Sequence, residues 1–152
     1  MIIDDFKIEE LKYTDYFIEG EYKKFDDSSI IFSSNSSRKE IIINRNYNLN
    51  LSVDNDTLRC YGFSLLFDAL NYRKGQCNID NFKKVKMFYN NKIIYDEINF
   101  ILPTKNIIYD NNKNILCIGE NNNNGMLYEF ASNSYVRVHN NHIIAFYIKI
   151  NP

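Results

Sequence analysis

Between residues 47 and 53 apolar and polar positions alternate strictly: Tyr47, Leu49, Leu51 and Val53 interleave with Asn48, Asn50 and Ser52. A period of two marks a strand with one buried face. Asp54-Asn55-Asp56 then reads as a turn, and residues 58–61 as the returning strand. Upstream, residues 16–25, 30–33 and 40–45 are further strand candidates, with the polar stretch 33–38 as a loop between the last two. The C-terminal half repeats one arrangement three times, apolar runs flanking Asn-rich turns at Asn90-Asn91, Asn111-Asn112 and Asn140-Asn141. Asn tolerates the positive φ that tight hairpins require, so the pattern predicts a meander. In residues 144–150, Ile144, Phe146, Ile148 and Ile150 mark the inward face of a final strand.

One segment departs from this period. Phe63, Leu66, Phe67 and Leu70 recur at helical spacing, and Gly75 after Arg73-Lys74 is a stop signal, which predicts a helix over 63–73. A second, weaker helical pattern covers the first dozen residues through Phe6 and Leu11. Pro103 predicts a break between two strands. The three Asn turns share no fixed period, so they do not constitute a repeat array. The pattern as a whole predicts a mainly β domain with minor α. Its architecture is an antiparallel β-sandwich or partly open barrel of about eight to ten strands, with a C-terminal meander and one helix near residues 63–73.

Length and composition narrow this only slightly. A chain of 152 residues is of single-domain size, and 12 Tyr and 11 Phe supply ample apolar surface for one core, placing residues 1–152 in one β-rich domain. Cys60, Cys77 and Cys117 are odd in number and lack CxxC spacing, which argues against a disulfide framework or a structural zinc site. Cys60 and Cys117 fall in strands and are expected in the core, whereas Cys77 is expected to be exposed. The acidic N-terminus MIIDDFKIEE does not read as a signal peptide, and no apolar run approaches the roughly 20 residues of a membrane span. The expectation is a cytoplasmic protein without a membrane partner.

Net charge is −1, but its distribution is uneven. Residues 1–27 hold nine acids against four lysines, a balance of −5, and residues 73–92 hold six basic residues against Asp80 alone, a balance of +5. The acidic stretch also carries tyrosines, which give buried area at low entropic cost, so it suits a basic protein partner such as a toxin. Its candidate contact residues are Asp4, Asp5, Glu9, Glu10, Tyr13, Asp15, Tyr16, Glu19, Glu21 and Tyr22. In the basic segment, Arg73, Lys74, Lys83, Lys84, Lys86, Phe88 and Lys92 are candidates for contacting a nucleotide, an oligonucleotide or a small metabolite, with Lys84, Lys86 and Phe88 on one strand face.

Catalytic constellations are sparse. The chain has no GxSxG, and its five glycines match neither a dinucleotide-binding nor a P-loop pattern. His139 and His142 flank the Asn140-Asn141 turn and are expected to face one another across a hairpin, but no third ligand or catalytic partner is evident. No cofactor and no metal are expected. The leading expectation is a non-catalytic protein that neutralises another protein, of the immunity or antitoxin kind or a phage-encoded inhibitor. A ligand-binding β domain using residues 73–92 is the alternative, and a small hydrolase or nuclease using the histidines comes third.

Overall fold

The computed structural model describes residues 1–34, 40–45, 49–90 and 106–151. Two sheets account for nearly all regular structure among them. The smaller has five antiparallel strands in the order β3 (Gly20–Lys24), β4 (Ser29–Ser34), β7 (Cys60–Leu66), β6 (Leu49–Asp54) and β5 (Glu40–Arg45). In β6, Leu49, Leu51 and Val53 are buried while Asn50, Ser52 and Asp54 are half-buried, as the alternation predicts. The turn after β6 is held by the Asp54 carboxylate, which accepts the backbone N–H groups of Asp56 and Thr57 and the Tyr61 hydroxyl.

The larger sheet has nine strands and curls into a half-barrel. Its order is β1 (Ile2–Ile3), β2 (Phe6–Glu10), β9 (Lys83–Tyr89), β12 (Met126–Ala131), β13 (Ser134–His139), β14 (His142–Lys149), β11 (Ile115–Gly119), β10 (Ile107–Asp110) and β8 (Arg73–Lys74). Pairing is antiparallel except where β9 meets β12 and β8 meets β10. The hairpins at Asn111-Asn112 and Asn140-Asn141 form as expected. Asn140 and Asn141 both take positive φ, 51° and 61°, the conformation a two-residue hairpin turn needs. Strand β14 then returns between β13 and β11, so the C-terminal half closes on itself and is not a simple meander. The expected partner of β9 across Asn90-Asn91, and Pro103, lie outside the described residues.

The helix expected over 63–73 is reduced to one 3-10 turn, Phe67–Ala69. The same residues also fit a period of two: Phe63 and Leu65 are buried, Ser64 is half-buried and Leu66 is 49% exposed. Pairing with β4 and β6 on both sides decides between the two readings, because a helix there would leave the facing backbone groups of β4 and β6 without partners. Gly62 reinforces the outcome. A Cβ at this position would fall 2.6 Å from the Phe32 ring, so only glycine lets that ring close over the strand. The helical pattern in the first dozen residues likewise gives way to β1 and β2, where Phe6 and Ile8 face inward and Lys7 faces out.

The sheets enclose one main core. Phe63 of β7 meets Phe130 of β12 and Phe146 of β14 edge-on, at 5.8 and 5.0 Å between ring centroids. Each such ring contributes about 1.5–3 kcal/mol by burial. A second, smaller cluster occupies the opposite face of the large sheet. There Ile115, Cys117, Ala145 and Tyr147, alternating with the core-facing Leu116, Ile118, Phe146 and Ile148, lie under the chain segment 75–82. Coverage on both faces explains why β11 is buried at every position. It also corrects the placement of Cys77, which is 1% exposed and belongs to this second cluster.

Candidate interaction face

The acidic and basic stretches meet in the sheet. Strand β2 pairs antiparallel with β9 in a register that sets Glu9 opposite Lys86 and Lys7 opposite Phe88. The Lys86 ammonium lies 3.5 Å from Glu9 and 2.9 Å from Asp15, and its side chain is only 15% exposed. Lys7 reaches Glu9 at 2.7 Å, and Lys83 lies 3.9 Å from Glu10. The hydrogen bond from Lys86, followed by that from the Lys12 backbone N–H, holds the Asp15 carboxyl below its ordinary value. Lys7 does the same for Glu9, and Asp15 in turn raises Lys86. Lys83 and Lys86 of the basic stretch are thus paired with Glu9, Glu10 and Asp15 of the acidic one.

These contacts pin the loop 11–19 across the sheet. The Asp15 N–H donates to the Lys12 carbonyl, and the Lys12 N–H donates to the Asp15 carboxylate, which closes a tight turn. Arg59, 4% exposed, stacks its guanidinium 4.6 Å from the Tyr16 ring and donates to the Tyr16 carbonyl at 3.0 Å. Lys84 sits 4.6 Å over the Phe17 ring. Ile18 enters the core at 2% exposure, and its carbonyl accepts the Ser132 N–H. Two aromatic side chains are left on the surface of this fastened loop: Tyr13, fully exposed, and Tyr16, 62% exposed.

The remaining candidates disperse. Asp4, at the β1–β2 turn, accepts the Ile143 N–H at 2.9 Å and lies 3.2 Å from His142 Nδ1. Asp5 is half-buried nearby, its carbonyl accepting the Asn90 N–H. Glu19 accepts the Ser132 hydroxyl, and Glu21 is held by Asn151 and Lys23. Tyr22 is not a surface residue. It is fully buried, its hydroxyl bonded to Ser134 and to the Phe63 N–H, because β3 turns that position inward.

The basic segment is likewise divided. Arg73 and Lys74 lie on the edge strand β8, with five strands between them and β9, and Phe88 is half-buried. Lys92 lies outside the described residues. His139 and His142 are paired across their hairpin, but His142 turns to Asp4. Among the described residues no group of three or more His, Cys, Asp or Glu is arranged to hold a metal ion.

Sequence reasoning missed Arg59. Arg59 had a signal, a lone cation between the apolar residues Leu58 and Cys60. In comparisons with known proteins, no family model matches the chain, and no curated protein matches it in sequence.

Proposed function

We propose that this chain is a non-catalytic domain that binds and neutralises another protein, in the manner of an immunity protein, an antitoxin or a phage-encoded inhibitor. The observation that carries this reading is the pair of exposed tyrosines on a loop already fastened by Lys86, Arg59 and Lys84. Tyrosine is enriched at binding hot spots, where truncation costs about 2 kcal/mol or more. Fastening the loop beforehand lowers the ordering cost of association, which runs at about 0.5–1.5 kcal/mol per immobilised side chain. Glu10 and Glu19, both exposed, stand near this loop in the chain and suit a partner with a basic rim. Because Glu9 and Asp15 are already paired, the reading rests on the tyrosines more than on free negative charge.

The test is affinity capture from the native host with the full chain, followed by titration of the purified partner against the Tyr13→Ala/Tyr16→Ala variant. A stoichiometric protein partner that the double variant binds about a thousandfold more weakly supports the reading, since each tyrosine is assigned about 2 kcal/mol. His139→Ala and His142→Ala should leave binding intact. A partner held equally by the tyrosine variant would overturn the assignment, as would turnover of a substrate that disappears with either histidine.

A further inference from the structure

The loop joining β11 to β12 reads Glu120-Asn121-Asn122-Asn123-Asn124-Gly125, and Asn124 is the only asparagine of the chain that precedes a glycine. That pairing carries its own chemistry. The backbone nitrogen of a following residue can attack an asparagine side-chain amide and close a succinimide ring, and a Cβ on that residue hinders the approach. Gly125 has no Cβ, is exposed, and its backbone N–H makes no hydrogen bond among the described residues.

Most of the loop is fastened. The Glu120 N–H donates to the Ile144 carbonyl at 2.9 Å, the Asn121 amide donates to the Gln76 carbonyl at 2.6 Å, and Asn122 Oδ1 accepts the Asn124 N–H at 2.9 Å. Asn124 is exposed, and its side-chain amide makes no hydrogen bond among the described residues. Its backbone carbonyl, by contrast, is held by Arg137, which is 5% exposed and donates from Nη1 at 3.4 Å. The other acceptors of Arg137, the Asn78 carbonyl and the Tyr147 hydroxyl, are neutral as well. Asn133, which precedes a serine, is differently placed. Its amide donates to the Gly20 carbonyl at 3.3 Å, and Ser134 is fully buried in β13.

We propose that Asn124-Gly125 is a site of self-modification that ends in an isoaspartate paired with Arg137. The Gly125 nitrogen bonds to Asn124 Cγ, and the side-chain nitrogen leaves with the amide proton as ammonia, which gives the succinimide. Water then adds to the ring carbonyl that was the Asn124 backbone carbonyl, and the bond from that carbon to the Gly125 nitrogen breaks. The chain now runs through Cγ, and the former backbone carbonyl is a free carboxylate. Water is consumed, ammonia is released, and nothing is oxidised or reduced. Because Arg137 donates to this carbonyl, it polarises that position for attack by water in preference to the other ring carbonyl. The product replaces a long neutral contact with a charge-assisted one and gives a buried cation its counter-charge. The site does not involve the tyrosine-bearing loop, so it stands or falls separately from the protein-binding reading.

The test is incubation of the full chain in mildly alkaline buffer, folded and, separately, unfolded in guanidinium chloride. Peptide mapping with electron-transfer fragmentation then distinguishes isoaspartate from aspartate. The expected result in the folded protein is conversion at residue 124 ahead of every other asparagine. The isoaspartyl share should be larger than in the unfolded chain, where Arg137 is not held beside the carbonyl. Asn124→Gln, at an exposed position, should lose the new acidic species on anion exchange, and Arg137→Lys should lower the isoaspartyl share toward the unfolded value. If that buried change disrupts folding, the folded and unfolded parent chains still give the comparison. No conversion at residue 124 in the folded protein, over the time in which the unfolded chain converts, overturns the proposal. So does earlier conversion at another asparagine, or an isoaspartyl share no larger in the folded protein than in the unfolded one.

Discussion

Tyr22→Phe separates packing from hydrogen bonding at the junction of the two sheets. The ring is wholly buried and sits 5.0 Å from the Phe32 ring, and phenylalanine preserves that packing. What is lost is the hydroxyl, which accepts the Phe63 N–H at 3.0 Å and pairs with the Ser134 hydroxyl 112 residues away. Ser134 retains a long contact to the Ser132 carbonyl at 3.4 Å, but no other acceptor for the Phe63 N–H replaces the hydroxyl. A buried donor left without its partner costs about 1–3 kcal/mol, and we take about 2 kcal/mol here. For a chain of this length that lowers Tm by about 4–8 °C.

The measurement is urea unfolding followed by far-UV circular dichroism, which suits a chain with no tryptophan. The midpoint should fall with an unchanged m-value. Tyr13→Phe, at a fully exposed position, should stay within about 0.5 kcal/mol of the parent. In the double-mutant cycle with Ser134→Ala, the combined loss should be smaller than the sum, because both changes remove the same bond. A Tyr22→Phe cost below about 0.5 kcal/mol, or a strictly additive cycle, would refute the claim that this hydroxyl ties the sheets together.

Two further expectations follow from the charged ladder and the cysteines. Asp15 and Glu9 have folded pKa values lowered from 3.8 and 4.5, so their contribution to stability is present above those values and is lost as pH falls through the folded ones. Carboxyl titration by NMR should show both depressed, and Lys86→Met should move Asp15 back upward further than Glu9, whose main partner is Lys7. Cys77 and Cys117 are buried, with thiol pKa values pushed up by burial to about 11 and about 12. Together with the buried Cys60, they should resist a thiol reagent at pH 8 until denaturant is added, and fast labelling of one equivalent in the native state would contradict the placement of the segment 75–82.

The elements most legible in the sequence were those fixed by local rules. Alternation located β6, and paired Asn residues located two hairpins, with positive φ at Asn140 and Asn141 in one turn and at Asn114 in the other, because these are properties of neighbouring residues. The failures share one cause. Phe63, Leu66, Phe67 and Leu70 satisfy a helical period and a strand period together, and only the flanking strands β4 and β6 select one. Cys77 followed Lys74 and Gly75 and read as exposed, yet a face of the large sheet with its own apolar stripe draws it in. That second apolar face is spread over β11, β12, β13 and β14, and no single segment of the chain announces it.

The candidate site was harder to read for a reason that the β2–β9 register makes concrete. Charge counted along a chain gives poles of −5 and +5, whereas charge in space depends on which residues become neighbours. With Glu9 opposite Lys86, and Asp15 folded back onto the same ammonium, part of each pole becomes the counter-charge of the other. The consequence of these pairs is positional: they hold the loop 11–19 in place while leaving Tyr13 and Tyr16 outside it. Two buried cations, Arg59 and Arg137, stand outside this ladder: among the described residues neither has a carboxylate at ion-pair distance, and each is held by carbonyl oxygens and a tyrosine ring. Neither shows in a charge tally, because Arg59 lies alone between Leu58 and Cys60 and Arg137 between Val136 and Val138. Where the chain neutralises its charges internally, a surface contact has to come from aromatic area.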